Sequence, residues 1–200
     1  MQRPDSRRYC RVAGDRSFYT NTSGKSSGDG KPSLGVQMTS HLHDSARRVQ
    51  TFLSTRGFPC EVRELPGSTR TAQEAAATIG CSVAQIAKSL VFAEASSGEA
   101  ILVVASGENR VDLHKIERAT GLRLGRADGR FVKAKVGFAI GGIPPAGHDT
   151  ALVTLLDPDL RDHEVVWAAA GTPFAVFAVD PCQLEAMTGG RWVELAEDRG

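Results

Sequence analysis

The sequence predicts an α+β fold, a single domain with a curved mixed β-sheet or open barrel of about seven strands flanked by helices. The first observation behind this prediction is a series of short apolar runs with the length and alternation of strands. The second is that helical patterns separate only some of these runs, which disfavours a regular βαβ repeat. The third is size, because 200 residues with 41% hydrophobic content suit one globular domain.

The first 40 residues differ in composition from the rest of the chain. Residues 1–40 are rich in Gly, Ser and charged side chains, and their apolar residues are isolated, so we expect a disordered tail. They carry seven Lys/Arg and three Asp/Glu, a balance of +4, whereas residues 41–200 carry seventeen and twenty, a balance of −3. The predicted domain, residues 41–200, is therefore not a general polyanion binder. A nucleic-acid partner would need a local patch, a site for one end, or another protein to hold it.

The first elements of the domain follow from apolar spacing and end signals. A helix over Ser45–Arg56 has one apolar face. Cys60–Leu65 alternates apolar and charged residues, as a strand does. Thr71 and Glu74 have the spacing of a capping box, which predicts a helix over Ala72–Ile79.

Two apolar runs in the middle of the domain are predicted to form a hairpin. Ser82 can cap one further helical turn through Ile86 before the first run begins. The strands over Ala87–Phe92 and Ile101–Ala105 would then pair around a turn at Ser96–Gly98.

The second half of the domain alternates unevenly between helices and strands. The predicted helices are Asp112–Thr120, capped by Asp112, then Gly129–Lys135, and a helix from Asp180 through Met187 with Pro181 at its first position. The predicted strands are Ala151–Leu156, Glu164–Ala169, Phe174–Val179 and Arg191–Leu195.

The segment Phe138–His148, here called the Gly-Pro loop, is the most distinctive stretch of the chain. We expect it to begin as an apolar strand at Phe138 and then to break, because Gly141 and Gly142 are followed by a Pro-Pro pair that ends at Pro145. Glycine has no Cβ, so the amides of this loop could approach a ligand closely. The alternative is an ordinary tight turn between two strands.

Lys88 is the second distinctive residue, because it lies at the mouth of an otherwise apolar strand. Such a lysine either extends its stem to reach water or is held there for its charge. In the second case it would present a compact cation to a phosphate or a developing oxyanion. His148, which ends the Gly-Pro loop, is either a hydrogen-bonding surface residue or part of the same site.

Other kinds of site find little support in the sequence. Cysteines occur at positions 10, 60, 81 and 182 without a C-x-x-C pair, so we expect neither a disulfide framework nor a zinc site, and a reducing cytoplasm as the location. No apolar run has the length of a membrane span or of a secretory signal. No Ser-His-Asp or Cys-His set emerges from the spacing, so an enzyme with this sequence would lack a dedicated protein nucleophile. We expect no metal, no cofactor and no membrane partner.

Four motifs together resemble those of the YbaK/ProX-type aminoacyl-tRNA deacylases, free-standing relatives of the prolyl-tRNA synthetase editing domain. In chain order they are Thr71-Ala-Gln-Glu-Ala-Ala, Ala87-Lys-Ser-Leu-Val-Phe, Asn109-Arg-Val-Asp-Leu-His-Lys and Gly141-Gly-Ile-Pro-Pro-Ala-Gly-His148. Each motif alone is weak, but the four in this order are fairly specific. The resemblance covers about Ser45 to Leu195.

The resemblance implies a pocket for the 3′ end of a mischarged tRNA and hydrolysis of the ester that joins the wrong amino acid to the terminal adenosine. The catalytic residues it implies are Lys88, as the cation, and Gly141 and Gly142, as backbone donors that orient the carbonyl or the attacking water. The ribose hydroxyl of the substrate would assist that water. The substrate-binding candidates are Ser89, Pro145, His148 and Ala169. The implied partners are mischarged tRNA and, optionally, an aminoacyl-tRNA synthetase.

The segment Ala168–Gly171 departs from the pattern of these relatives, which often have a small polar residue there. Alanine at this place puts hydroxyl-dependent selection in doubt. Together with the acidic balance of the domain, it leaves open an alternative function: a non-catalytic module that binds an aminoacyl or nucleotide end as a sensor or adaptor.

Overall fold

The computed structural model describes residues 42–198, so the expectation of a disordered tail over residues 1–40 lies outside the described residues. The helices are α1 (Asp44–Thr55), α2 (Ala72–Ile79), α3 (Leu113–Thr120), α4 (Gly129–Val136) and α5 (Pro181–Thr188). The strands are β1 (Val62–Glu64), β2 (Ile86–Glu94), β3 (Ala100–Ser106), β4 (Leu124–Arg126), β5 (Val153–Leu156), β6 (Val166–Ala169), β7 (Ala175–Val179) and β8 (Arg191–Trp192). Two 3₁₀ helices span Val83–Gln85 and Pro158–Asp162.

All eight strands join one mixed sheet, which confirms the predicted α+β class. The strand order is β1-β7-β6-β2-β3-β5-β8, with β4 paired to β2 off this path. The pairs of β2 with β6, β3 with β5 and β5 with β8 are parallel, and the other pairs are antiparallel. The two ends of the order, β1 and β8, do not pair with each other, so the sheet remains open.

Most predicted elements occur within a few residues of their expected bounds. The sheet has one strand more than the sequence predicts, and this additional strand is β4. It has only three residues, a central Gly125 and no alternation to reveal it. The 3₁₀ helix Pro158–Asp162 was not predicted either. The predicted strand at the start of the Gly-Pro loop is wrong: Phe138 follows the left-handed Gly137 that ends α4, and its ring is buried in the core without a ladder partner.

The helix ends have the capping contacts that the sequence suggests. Asp112 accepts hydrogen bonds from the amides of His114 and Lys115 at the start of α3. At α2, the Thr71 hydroxyl accepts the Glu74 amide at 3.1 Å, but the Glu74 carboxylate accepts the Ser68 hydroxyl instead of closing the reciprocal half of the capping box.

The β3 strand forms the centre of the core because both of its faces are buried. Leu102 and Val104 lie on the side covered by α1, α4 and α5. Ile101, Val103 and Ala105 lie on the opposite side, with Ile116 of α3. Burial on both faces explains why this strand is an unbroken apolar run.

The β2 strand has one continuous edge and one split edge. On the first edge it pairs antiparallel with β3 from Ala87 to Ala93. On the other edge β6 pairs only with Ile86 and Ala87, and β4 pairs with residues 92–94. Within the described part of the chain, residues 88–91 have no ladder partner on this second edge. The sheet therefore opens beside the middle of β2.

The described helices are all too short or too polar to cross a lipid bilayer.

Candidate functional site

A cavity of about 490 Å³ lies where the sheet opens beside β2. Its walls come from residues 86–92 of β2, the first half of α2 with the turn before it, the start of the Gly-Pro loop, and residues 167–169 of β6. Clefts of this volume are typical of sites for small molecules or for one end of a larger ligand.

Five of the seven residues predicted for the site line this cavity: Lys88, Ser89, Gly141, Gly142 and Ala169. Pro145 and His148 are not among its lining residues. They come from three segments that are distant in the chain, β2, the Gly-Pro loop and β6, which the fold brings together at this cavity.

Lys88 is half-buried in the wall, and its ammonium group is held by backbone carbonyls. Nζ donates to Gly107 O at 3.3 Å and also to Asn109 O, both in the turn after β3. An ammonium group has three N–H donors, so one remains for a ligand. Burial lowers the pKa of Lys88, the negative charge of Asp157 raises it, and the positive charge of Arg110 lowers it.

The two glycines of the Gly-Pro loop have different roles in the structure. Gly141 has φ = +94°, a conformation that disfavours side chains, and its N–H makes no hydrogen bond within residues 42–198. The Gly142 N–H, in contrast, donates to Ala139 O at 3.2 Å, and its carbonyl accepts the Gly171 N–H at 2.8 Å. Gly141 thus lines the cavity with an N–H that has no partner among the described residues, and Gly142 joins the loop to the turn after β6.

His148 stabilises the Gly-Pro loop from the side that faces the core. Its Nε2 lies 2.8 Å from Pro144 O, and its ring meets the edge of Phe138 with centroids 6.0 Å apart. Burial lowers the pKa of His148, while the hydrogen bond to Pro144 raises it. Arg48 of α1 stacks 4.2 Å over the Phe138 ring and donates to Gly147 O at 3.3 Å. These contacts fix the loop from the core side.

Ser89 of β2 and Ala169 of β6 also line the cavity. The Ser89 hydroxyl oxygen is buried and has no hydrogen-bond partner in the described part of the chain. Buried hydroxyls are usually paired, so an unpaired oxygen at this position is unusual. Ala168 and Ala169 offer no hydroxyl on the adjacent strand.

The charged residues that line the cavity are all cationic. Lys88, Arg70 and Arg126 contribute to its walls, and no Asp or Glu of the described residues does. The side chains of Arg70 and Arg126 are exposed and form no ion pair within residues 42–198. A domain with an acidic balance therefore presents a local basic site, which favours an anionic ligand.

Three further lining residues were not predicted from the sequence. Arg126 lies on β4, which was not recognised, and Arg70 directly precedes the cap of α2. Trp167 of β6 is half-buried and lines the cavity beside Ile86. Of the three, only Arg70 has a signal in the sequence, because it directly precedes the motif that begins at Thr71.

The described residues 42–198 offer little for nucleophilic or metal chemistry. No group of three or more His, Cys, Asp or Glu side chains there is arranged to hold a metal ion. Cys60 and Cys81 are free thiols. The arrangement around β2 can bind an anion and donate hydrogen bonds to a carbonyl oxygen through Lys88 and Gly141.

Comparison with known proteins places this site in a family context. A family model, the aminoacyl-tRNA editing domain, matches residues 67–187. The uncharacterized protein YwhH of Bacillus subtilis (strain 168) is 29% identical over 157 residues, 77% of this chain and 98% of that protein. The crystal structure of a candidate trans-editing enzyme for prolyl-tRNA synthetase is 51% identical and has a TM-score of 0.74; the match covers 78% of this chain and 99% of that one. The crystal structure of the hypothetical protein APE2540 is 26% identical, with a TM-score of 0.70, over 75% of this chain and 99% of that one.

The matched segment contains α2, β2 and the Gly-Pro loop, the three elements that build most of the cavity. It also spans more than half of the chain. The chain therefore belongs to the aminoacyl-tRNA editing domain family.

Proposed function

We propose that this protein is a trans-editing deacylase that hydrolyses the ester of a mischarged tRNA. The single observation that carries the proposal is the meeting of Lys88, Ser89 and Gly141 at one cavity whose described lining contains three cations and no carboxylate. Such a cavity suits the 3′ end of tRNA, which combines phosphates with an ester carbonyl. Family membership supports the same reaction class.

In the proposed reaction, a water attacks the ester carbonyl and the terminal ribose oxygen leaves. The carbonyl oxygen becomes negative in the tetrahedral intermediate, and the free N–H of Lys88 and the Gly141 N–H would donate to it. The leaving ribose oxygen takes up a proton, and the water loses one through the neighbouring ribose hydroxyl. An aminoacyl ester is already activated, so positioning and charge stabilisation suffice without a protein nucleophile.

The amino acid removed is proposed to be a wrong one attached to the proline tRNA. One relative, 51% identical, is described as a candidate trans-editing enzyme for prolyl-tRNA synthetase, which supports this tRNA and this synthetase as partners. A synthetase pocket separates side chains that differ by one methylene by only about 1–3 kcal/mol, so a second hydrolytic site is useful. The cytoplasm, where translation occurs, is the corresponding location.

The test is hydrolysis of proline tRNA charged with proline, alanine, serine, threonine or cysteine. We expect wild type to release at least one wrong amino acid but not proline, and Lys88→Ala to lose this activity. Lys135→Ala is the matched control, because Lys135 is an exposed lysine that pairs with Glu99. Equal hydrolysis by wild type and Lys88→Ala would contradict the proposed role of Lys88.

The segment Ala168–Ala170 favours a second candidate, a non-catalytic module that binds an aminoacyl or nucleotide end. Its alanines supply no hydroxyl to the cavity. If wild type releases none of the five amino acids but binds an aminoacyl-adenosine analogue, this second function is the better account.

A further inference from the structure

The turn Gly107–Asn109, here called the carbonyl turn, determines where the ammonium group of Lys88 lies. Two of its carbonyls, Gly107 O and Asn109 O, accept hydrogen bonds from Nζ. The turn follows β3 directly, and the Asn109 N–H closes it by donating to Ser106 O at 3.0 Å. Any movement of this turn would move the cation that faces the cavity.

Asp157 and Asn109 hold the carbonyl turn from inside the protein. The Asp157 carboxylate is 1% exposed and accepts the Ser106 N–H at 3.0 Å and the Asn109 side-chain amide at 2.8 Å through the same oxygen. Its second oxygen accepts the Asp159 N–H at 3.1 Å. The Asp157 N–H donates to Val104 O at 2.9 Å, which ties this residue to β3 as well.

The charge of Asp157 has no direct counter-ion. No Lys or Arg within residues 42–198 lies at ion-pair distance from it. A buried carboxylate is costly unless its oxygens are hydrogen-bonded and a cation lies near. The negative charge of Asp157 instead acts on Lys88, on the other side of the carbonyl turn, where it raises the pKa of the ammonium group.

We propose that Asp157 and Asn109 are positioning residues that fix the ammonium group of Lys88 at the cavity wall. Asn109 connects the two, because its side chain bonds to Asp157 and its carbonyl accepts Lys88. The charged groups that affect Lys88 are Asp157, which opposes the effect of burial, and Arg110, which adds to it. A neutral lysine would lose its charge attraction to a phosphate or an oxyanion and keep only weaker hydrogen bonds. The catalytic use of Lys88 rests on the proposed function, whereas its position and charge do not.

The test measures the titration of Lys88 itself in the full chain labelled with ¹³C-lysine, by NMR. The resonance of Lys88 is assigned by its loss in Lys88→Arg. In Asp157→Asn we expect the Lys88 midpoint to fall, because the opposite charge that raises it is lost. The matched control is Asp159→Asn, because Asp159 also accepts the Asn109 amide, at 2.9 Å, but does not affect Lys88.

A kinetic measurement separates positioning from a general loss of structure. If ester hydrolysis requires charged Lys88, Asp157→Asn should lose activity at high pH and recover much of it at lower pH. Asn109→Ser, which cannot reach Asp157, should lower kcat more than it raises KM; it also serves as the test variant if Asp157→Asn fails to fold.

The outcomes separate this inference from the proposed function. An unchanged Lys88 midpoint in folded Asp157→Asn, or unchanged kcat and KM in Asn109→Ser where that variant replaces it, would overturn the inference even if wild type is active. A lowered midpoint in a protein that hydrolyses no mischarged tRNA would support the inference and reject the deacylase function.

Discussion

Gly142 approaches Thr172 so closely that no side chain fits between them. A Cβ built on Gly142 would lie 2.6–2.8 Å from the backbone N, Cα and C of Thr172. The clashing atoms are backbone, so a rotamer change cannot relieve the contact. The Gly142 carbonyl also accepts the N–H of Gly171, next to Thr172. The Gly-Pro loop and the turn after β6 are therefore held in close contact at this glycine.

We expect Gly142→Ala to destabilise the protein by about 1–3 kcal/mol, the usual cost of overpacking, and to lower hydrolysis by displacing Gly141. Urea unfolding and single-turnover hydrolysis measure the two effects. Gly129→Ala is the control, since its added Cβ would have only Ile140 within 4 Å, at 3.8 Å, at the start of α4. That change should be neutral or stabilising by up to about 1 kcal/mol. Equal stability of the two variants would refute the close contact.

Glu94 stabilises the β2–β3 hairpin that carries Lys88. One of its oxygens accepts the amide and hydroxyl of Ser96 and of Ser97 at 2.6–3.0 Å. Chiefly through the Ser96 hydroxyl, these bonds lower the pKa of Glu94 to about 2. The unfolded value is about 4.3, so the stabilisation is complete above that pH and is lost as the pH falls toward 2.

Glu94→Gln should therefore lower the melting temperature at neutral pH and reduce the loss of stability on acidification. The thermal melting temperature, measured in steps from about pH 7 to about pH 2.5, gives both effects. Glu99→Gln is the control in the same hairpin, because Glu99 only forms an exposed pair with Lys135. A wild-type acid profile in Glu94→Gln would show that the serine bonds do not act on this carboxylate.

His148 makes the Gly-Pro loop sensitive to mild acid. Because burial lowers its pKa in the folded protein, the unfolded chain binds the proton more tightly. The contribution of His148 to stability is therefore present above the unfolded pKa of about 6.5 and is lost as the pH falls through the lower folded value. We expect the free energy of unfolding to decrease from about pH 8 to about pH 5.5 by less in His148→Gln than in wild type.

An exposed histidine provides the comparison for that experiment. His114 lies on α3, away from the Gly-Pro loop, and His114→Gln should keep the wild-type pH dependence. If both variants have the same slope as wild type, His148 is not the group that couples loop stability to pH.

The parts of the site that could be predicted are those with local chemical signals. A rigid loop is predicted by Gly141, Gly142 and the Pro-Pro pair, because glycine permits backbone angles that other residues avoid and proline fixes φ. Lys88 is visible because a charge interrupts an apolar strand. Asp112 and Thr71 cap helices, as their spacing predicts.

The parts that could not be predicted depend on packing between distant segments. Phe138 resembles a strand residue, but its burial comes from Arg48 and His148 rather than from a ladder. The Gly142 N–H donates a hydrogen bond to Ala139 O, and no pattern in the sequence reveals this bond. The cavity itself exists because β4 and β6 separate along β2, and β4 is too short for a periodic signal.

Arg70 and Arg126 should bind phosphates near the 3′ end of the RNA rather than act on the ester. Both line the cavity, both are exposed, and neither forms an ion pair within residues 42–198. Replacing each by Gln should weaken binding of a single-stranded RNA that ends in CCA. The slope of log K against log salt should become less steep by about 0.7 for each phosphate that the variant no longer neutralises. Unlike Lys88→Ala, the double variant with both Arg70→Gln and Arg126→Gln should raise KM with little change in kcat.

The control for the two arginines is Arg191→Gln, an exposed arginine on β8 at the far edge of the sheet. Its loss changes the net charge of the protein by the same amount per residue but removes no charge from the cavity. A binding site for the RNA end predicts the wild-type salt slope in Arg191→Gln and a shallower slope in Arg70→Gln and Arg126→Gln. Equal slopes in all three single variants would mean that RNA is attracted by net charge alone, and the cationic lining would then have no specific role in holding the substrate.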